Sequence, residues 1–189
     1  MADQLGPLEF FNGGWIIGDP ARDHLRFSPE GLVHWVNGAE QRVIPWGRIL
    51  EWNLSVEPPR SSHSKGLRRT AAVLSLLGAS FSPGLGQPAS VGGTLRHPYE
   101  SWSAEFTHHA RKYRRHDIAV LWDFLSYIAE SRKTARMGDP EWVAMAVAKL
   151  SRQPKGYFGS RKRAVQETVN SALLPPARDP APSDPDGRR

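Results

Sequence analysis

Four formal positive charges and three histidines fall within one short stretch, His108-His109-Ala110-Arg111-Lys112-Tyr113-Arg114-Arg115-His116. Arg111, Lys112, Arg114 and Arg115 are the side-chain types that hold phosphate or carboxylate oxygens. Tyr113 adds a ring that can stack and a hydroxyl that can donate a hydrogen bond. A second basic cluster, Arg60, Lys65, Arg68 and Arg69, precedes an apolar run. These nine residues are the candidate site for an anion or an acidic partner. The competing reading is a pair of solvated loops. A cation-rich loop before a helix start opposes the helix dipole, which argues that the charge has a use.

Other chemistry finds less support. His97, His108, His109 and His116 carry metal-ligand nitrogens, but adjacent residues on a strand face opposite ways, so His108 and His109 do not readily share an ion. No metal site and no cofactor are expected. The chain has no cysteine, which removes thiol catalysis, Cys-ligated zinc and disulfides. No G-x-S-x-G, P-loop, G-x-G-x-x-G or H-E-x-x-H pattern appears, and Gly84-Leu85-Gly86 lies in a Pro-rich stretch rather than between a strand and a helix. No catalytic residue is assigned.

The chain has 189 residues, a net charge of +6 and a 39% hydrophobic fraction, enough for one main domain. The charge suits nucleic acid, anionic lipid or an acidic protein as partner. The longest charge-free span, Thr70 to Leu95, contains five Gly and two Pro and is too interrupted for a membrane helix. The N-terminus has neither the basic region nor the apolar stretch of a secretory signal. A cytoplasmic protein is expected, at most peripheral to a membrane.

The elements that would position the clusters come from hydrophobic period. Residues 8–57 read as a strand meander, with Asn37-Gly38 as a hairpin turn because both residue types accept positive φ. Pro45-Trp46-Gly47 bends the chain. Leu50, Trp52, Leu54 and Val56 alternate with polar residues and predict the longest strand, which Pro58-Pro59 ends. Residues 60–100 read as an insertion whose Ser82–Gly93 part is a Gly/Pro/Ser-rich loop. Trp102, Ala104 and Phe106 resume the sheet. Ile118, Leu121, Trp122, Leu125, Ile128 and Ala129 then fall at helical spacing over about 117–132. Asp139-Pro140-Glu141 opens another helix, running to about Arg152. Ser160 could cap a third, from Arg161 to Leu174, and Pro175-Pro176 ends it.

This order of elements resembles the pleckstrin-homology-like superfamily, especially its compact bacterial members. The resemblance rests on Gly31-Leu32 opening a strand, on the Ile44-Pro45-Trp46-x-x-Ile49 step into the longest strand, and on a late helix with Trp122 turned inward. It implies a bent antiparallel sheet or small barrel closed by a C-terminal amphipathic helix. Family members that bind lipid carry a basic first hairpin. Here Gly18 to Arg26 sets Arg22 and Arg26 beside Asp19 and Asp23, so phosphoinositide binding is not carried over.

The expected organisation is an α+β domain over 8–136 with the insertion at about 60–100, a helical extension over 139–174 and a disordered tail over 175–189. The expected role is a non-enzymatic interaction or adaptor module that docks a protein partner or an anionic surface through its basic loops. The alternatives are nucleic-acid binding through the clusters at 60–69 and 108–116, and an enzyme with an unrecognised site. Trp142, Val143, Ala146, Val147 and Leu150 form an apolar helix side that needs cover, which suggests a homodimer through 139–174.

Overall fold

Two Asn-Gly steps start the architecture. Asn12 and Gly13 adopt φ of 46° and 78°, and Asn37 and Gly38 adopt 53° and 76°. Positive φ at both central residues gives a turn whose twist matches that of paired strands, so each step closes a tight hairpin. The computed structural model describes residues 4–56, 89–153 and 158–171. Within these, β1 (Gln4–Leu5), β2 (Leu8–Phe11), β3 (Gly14–Ile17), β4 (His24–Phe27), β5 (Gly31–Val36) and β6 (Ala39–Pro45) form an antiparallel sheet in sequence order. A second antiparallel sheet holds β7 (Asn53–Ser55), β8 (Ala89–Leu95) and β9 (Glu100–Phe106). The molecule is therefore α+β, and its described strands form two open sheets rather than one closed barrel.

The sheets meet along short connections. Pro45 ends β6, and a 3-10 turn over Trp46–Arg48 redirects the chain, with the Trp46 indole donating to the Ser28 carbonyl at 2.8 Å. Ile49 bridges Leu95, and the Thr107 amide donates to the Asp23 carbonyl at 2.8 Å. Arg42 and Arg48 both reach Glu100 Oε1, at 3.2 and 3.0 Å.

The stretch 49–56 departs from the expected long strand. The Leu50 and Glu51 amides both aim at the Thr94 carbonyl, at 2.9 and 3.4 Å, so two residues face one and the alternation slips. Ile49, Trp52 and Val56 are buried, Leu50 and Leu54 only partly, and regular pairing is confined to β7. Gly93 explains how the chains come this close. Its φ is 150°, and a Cβ on it would overlap the Glu51 carbonyl oxygen. The Gly-rich stretch read as the end of a loop is thus partly a strand: β8 begins at Ala89, and Ala89, Val91 and Leu95 enter the core. β8 thus occupies part of the stretch read as an insertion over about 60–100, and the part of that stretch before 89 lies outside the described residues.

Three helices among the described residues complete the core. α1 (Arg115–Glu130) buries Leu121, Phe124, Leu125 and Ile128 completely. Trp122 is only half-buried, and Phe124 takes the inward place expected for it, stacking on Trp142 at 5.9 Å. The reason is that α1 has neighbours on two sides, so its apolar stripe is wider than one sheet requires. α2 (Pro140–Leu150) starts as the sequence indicates, with the Asp139 carboxylate accepting from the Glu141 and Trp142 amides at 3.1 Å each. α3 (Phe158–Ser171) packs on α1 and α2 through Val165, Thr168 and Val169. Asp123 of α1, 2% exposed, is ion-paired with Arg161 of α3.

The helices after 139 are therefore not an extension with an open apolar side. Trp142, Val143, Ala146, Val147 and Leu150 are all buried against this chain, in one cluster with the sheet residues, and the Trp15 indole donates to the Pro140 carbonyl at 2.9 Å. The apolar side that suggested a homodimer already has its cover. The tail over 175–189 lies outside the described residues.

Replacing Gly93 with Ala should lower the urea midpoint by the equivalent of about 2 kcal/mol or more, because two backbones must separate. An unchanged midpoint would show that β8 and residue 51 do not lie this close.

Candidate anion-binding site

The loop between β9 and α1 carries the basic cluster at 108–116, and an acidic residue far away in sequence decides its shape. Glu9, on β2, holds the loop from below. Its Oε2 accepts from Arg111 Nη2 at 2.9 Å, and its Oε1 lies 3.0 Å from His109 Nε2, close enough for attraction though not aligned as a hydrogen bond. Arg111 Nη1 also donates to the Gly6 carbonyl at 2.8 Å, and its guanidinium sits 5.3 Å from the centre of the Tyr113 ring. Arg111 is thus occupied from three sides within the protein.

Tyr113 is likewise turned inward. Its hydroxyl accepts the His109 amide at 2.9 Å and lies 2.7 Å from His109 Nδ1. The hydroxyl can both donate and accept, so the donor in its contact with Nδ1 follows the imidazole tautomer. His108 packs against Phe106 and Tyr113, with ring centres 5.9 and 5.6 Å away. His108 and His109 lie on a loop, so the opposite-face geometry of a strand does not apply, but they still face different neighbours. Among the described residues no group of three His, Asp or Glu could hold a metal ion.

Of the five loop candidates, the structure leaves Lys112, Arg114 and Arg115 exposed and without an ion pair to any described residue. Arg114 is the N-cap residue of α1 and Arg115 its first residue, where the helix dipole disfavours cations; Asp117 in the first turn offsets part of that cost. Arg111 and Tyr113 make the internal contacts that shape the loop. Arg60, Lys65, Arg68 and Arg69 lie outside the described residues. The described residues flanking that segment, Val56 and Ala89, sit at the end of the three-stranded sheet where Ala89 pairs with Phe106 and the basic loop begins.

Sequence reading missed Glu9. It stands between Leu8 and Phe10 on a short strand, and no spacing links position 9 to 109 or 111. Two concavities also escaped it. One of about 320 Å³ lies over the three-stranded sheet, among Glu51, Asn53, Ser90, Ser101 and Ser103. Another of about 290 Å³ lies beside the β2–β3 hairpin, among Trp15, Arg26, Phe27, Met137 and Pro140. Each contains a single ionisable side chain, so neither sets an acid against a base.

Burial pushes His109 below its ordinary value, and Arg111 adds to this, outweighing the attraction of Glu9 and of Asp19. Burial also pushes the Tyr113 hydroxyl up, against the hydrogen bond from the His109 amide. A histidine that is harder to protonate folded than unfolded contributes stability that is present above its unfolded value, about 6.5, and lost as pH falls through the folded value. The melting temperature should therefore fall on acidification below about pH 6.5, and fall less in His109→Gln. Parallel profiles for the two proteins would exclude His109 as a source of the pH dependence. Compared with known protein families, with curated proteins and with solved structures, the chain matches none.

Proposed function

We propose that this chain is a non-enzymatic interaction module, with a pleckstrin-homology-like scaffold, that docks an anionic surface or an acidic protein partner through the loop before α1. The observation that carries this reading is the division of labour among its cations. Arg111 is held by Glu9 and Gly6, whereas Lys112, Arg114 and Arg115 stay exposed on a loop that the inward residues keep in shape. A loop fixed before contact loses less conformational freedom on binding. The reading is consistent with a cytoplasmic or membrane-peripheral chain, since no described helix is long and apolar enough to cross a membrane.

The test is reversal of the three exposed charges, Lys112→Glu, Arg114→Glu and Arg115→Glu together, with Arg111 left in place so that the loop keeps its anchor. Each cation near an anionic bilayer contributes about 1 kcal/mol, so binding to vesicles of three parts phosphatidylcholine to one part phosphatidylserine should weaken by about a hundredfold or more. Retention on heparin should fall alongside it. Unchanged behaviour on both supports would remove the loop as the docking surface.

A further inference from the structure

The positive charge of this protein is not where its densest sequence cluster lies. Residues 4–56 and 89–130 hold nine basic and eleven acidic side chains, while residues 131–153 and 158–171 hold eight basic and three acidic ones. The two sheets with α1 are slightly acidic, and the helical layer after α1 is strongly basic.

The fold gathers part of that charge at one pole. After α1 the chain reverses through Arg132, whose φ is 56°, and the Lys133 amide closes back on the Ile128 carbonyl at 2.9 Å. Lys133 Nζ then donates to Asn170 Oδ1 at 3.0 Å, and Lys149 Nζ, from the last turn of α2, donates to Ser171 Oγ at 3.1 Å. Because Asn170 and Ser171 are consecutive, these bonds bring the C-terminal ends of α1, α2 and α3 together. Arg132 adjoins Lys133, and Arg152 follows Lys149 by three residues. Within 130–136 and 149–152 the only acid is Glu130, against five cations.

Helix dipoles favour cations at C-terminal ends, which accounts for Lys133 and Lys149. It does not require Arg132 and Arg152, which are exposed and make no side-chain hydrogen bond or ion pair with a described residue. Among the described residues the pole also lacks what other occupants need. Met145 is the one large apolar side chain exposed on the described part of these helices, too little for a bilayer or for the aromatic centre of a protein interface. Arg, Lys, Asn and Ser are instead the side chains that contact nucleic-acid phosphates.

We propose that this pole, through Arg132, Lys133, Lys149 and Arg152, binds the phosphodiester backbone of nucleic acid without reading its bases. The site is separate from the loop before α1, and either can fail without the other.

The experiment is fluorescence anisotropy of a fluorescein-labelled 20-base-pair DNA duplex, with a single-stranded RNA of equal length as a second probe, titrated with the full chain at 50 and 200 mM NaCl. Four phosphate contacts predict an affinity for the duplex that falls about a hundredfold across that range. Arg132→Gln with Arg152→Gln should bind more weakly at 50 mM and lose only about tenfold, since two contacts remain. Lys133→Gln with Lys149→Gln should shift the same way, with circular dichroism confirming that α3 stays folded. Reversal of Lys112, Arg114 and Arg115 should leave duplex binding within about twofold. Binding of either probe with this dependence supports the proposal. It is overturned if neither probe binds at 50 mM salt, if both Gln pairs leave the salt dependence unchanged, if only the loop variant abolishes binding, or if the Gln pairs weaken binding to anionic vesicles alone.

Discussion

The structure depends on α1 being buried from two directions. Leu121, Phe124, Leu125 and Ile128 are completely covered, and each such side chain contributes about 1.5–3 kcal/mol relative to exposure. Cover on one side comes from the sheets, and on the other from α2 and α3, with the Phe124–Trp142 stack joining the layers. Neither layer closes the core by itself. Two open sheets of six and three strands would leave an apolar face on α1 exposed to water, and two short helices could not hold one another without it. The buried Asp123–Arg161 pair sits at this junction and fixes how α3 lies on α1, since a carboxylate there tolerates few arrangements.

The same layering separates charge. Three acids of the sheets and α1 hold cations from elsewhere in the chain: Glu9 holds His109 and Arg111, Glu100 holds Arg42 and Arg48, and Asp123 holds Arg161. Among the described residues, Lys112, Arg114 and Arg115 on the loop before α1, and Arg132 and Arg152 near the ends of α1 and α2, are exposed cations without an ion pair to a described residue. Total charge alone would have suggested an evenly basic surface. Among the described residues, acid–base pairs between positions distant in sequence make the distribution uneven.

How much of this was legible from the residues follows from how local each signal is. The hairpin at Asn37-Gly38, the 3-10 bend after Pro45, the alternation of Trp102, Ala104 and Phe106, and the Asp139-Pro140-Glu141 helix start are all decided within a few residues, and all appear in the structure. The failures share a different cause. Gly92 and Gly93 look like loop residues until residues 51 and 102 arrive against them. The regular alternation over 50–56 gives way to the double contact at the Thr94 carbonyl, which belongs to another strand. Trp122 outranked Phe124 on the expectation of a single packing surface. The apolar side of α2 looked unclaimed because its cover, Phe124 and Trp15 with the residues around them, comes from far along the chain. At the candidate site, the cations could be named in advance, but Glu9 could not, so the internal contacts of Arg111 and Tyr113 were not legible.

The central claim is that the sheets, α1 and α2 form one cooperative core. Native-state hydrogen exchange across a urea series tests it most directly. The account predicts that the slowest amides of β3, β8, α1 and α2 converge on one opening free energy with one urea dependence. If the α2 amides instead exchange through a separate opening, several kcal/mol easier and with a shallower urea dependence, the helices after 139 are an appendage and the two-sided burial of α1 does not organise this fold.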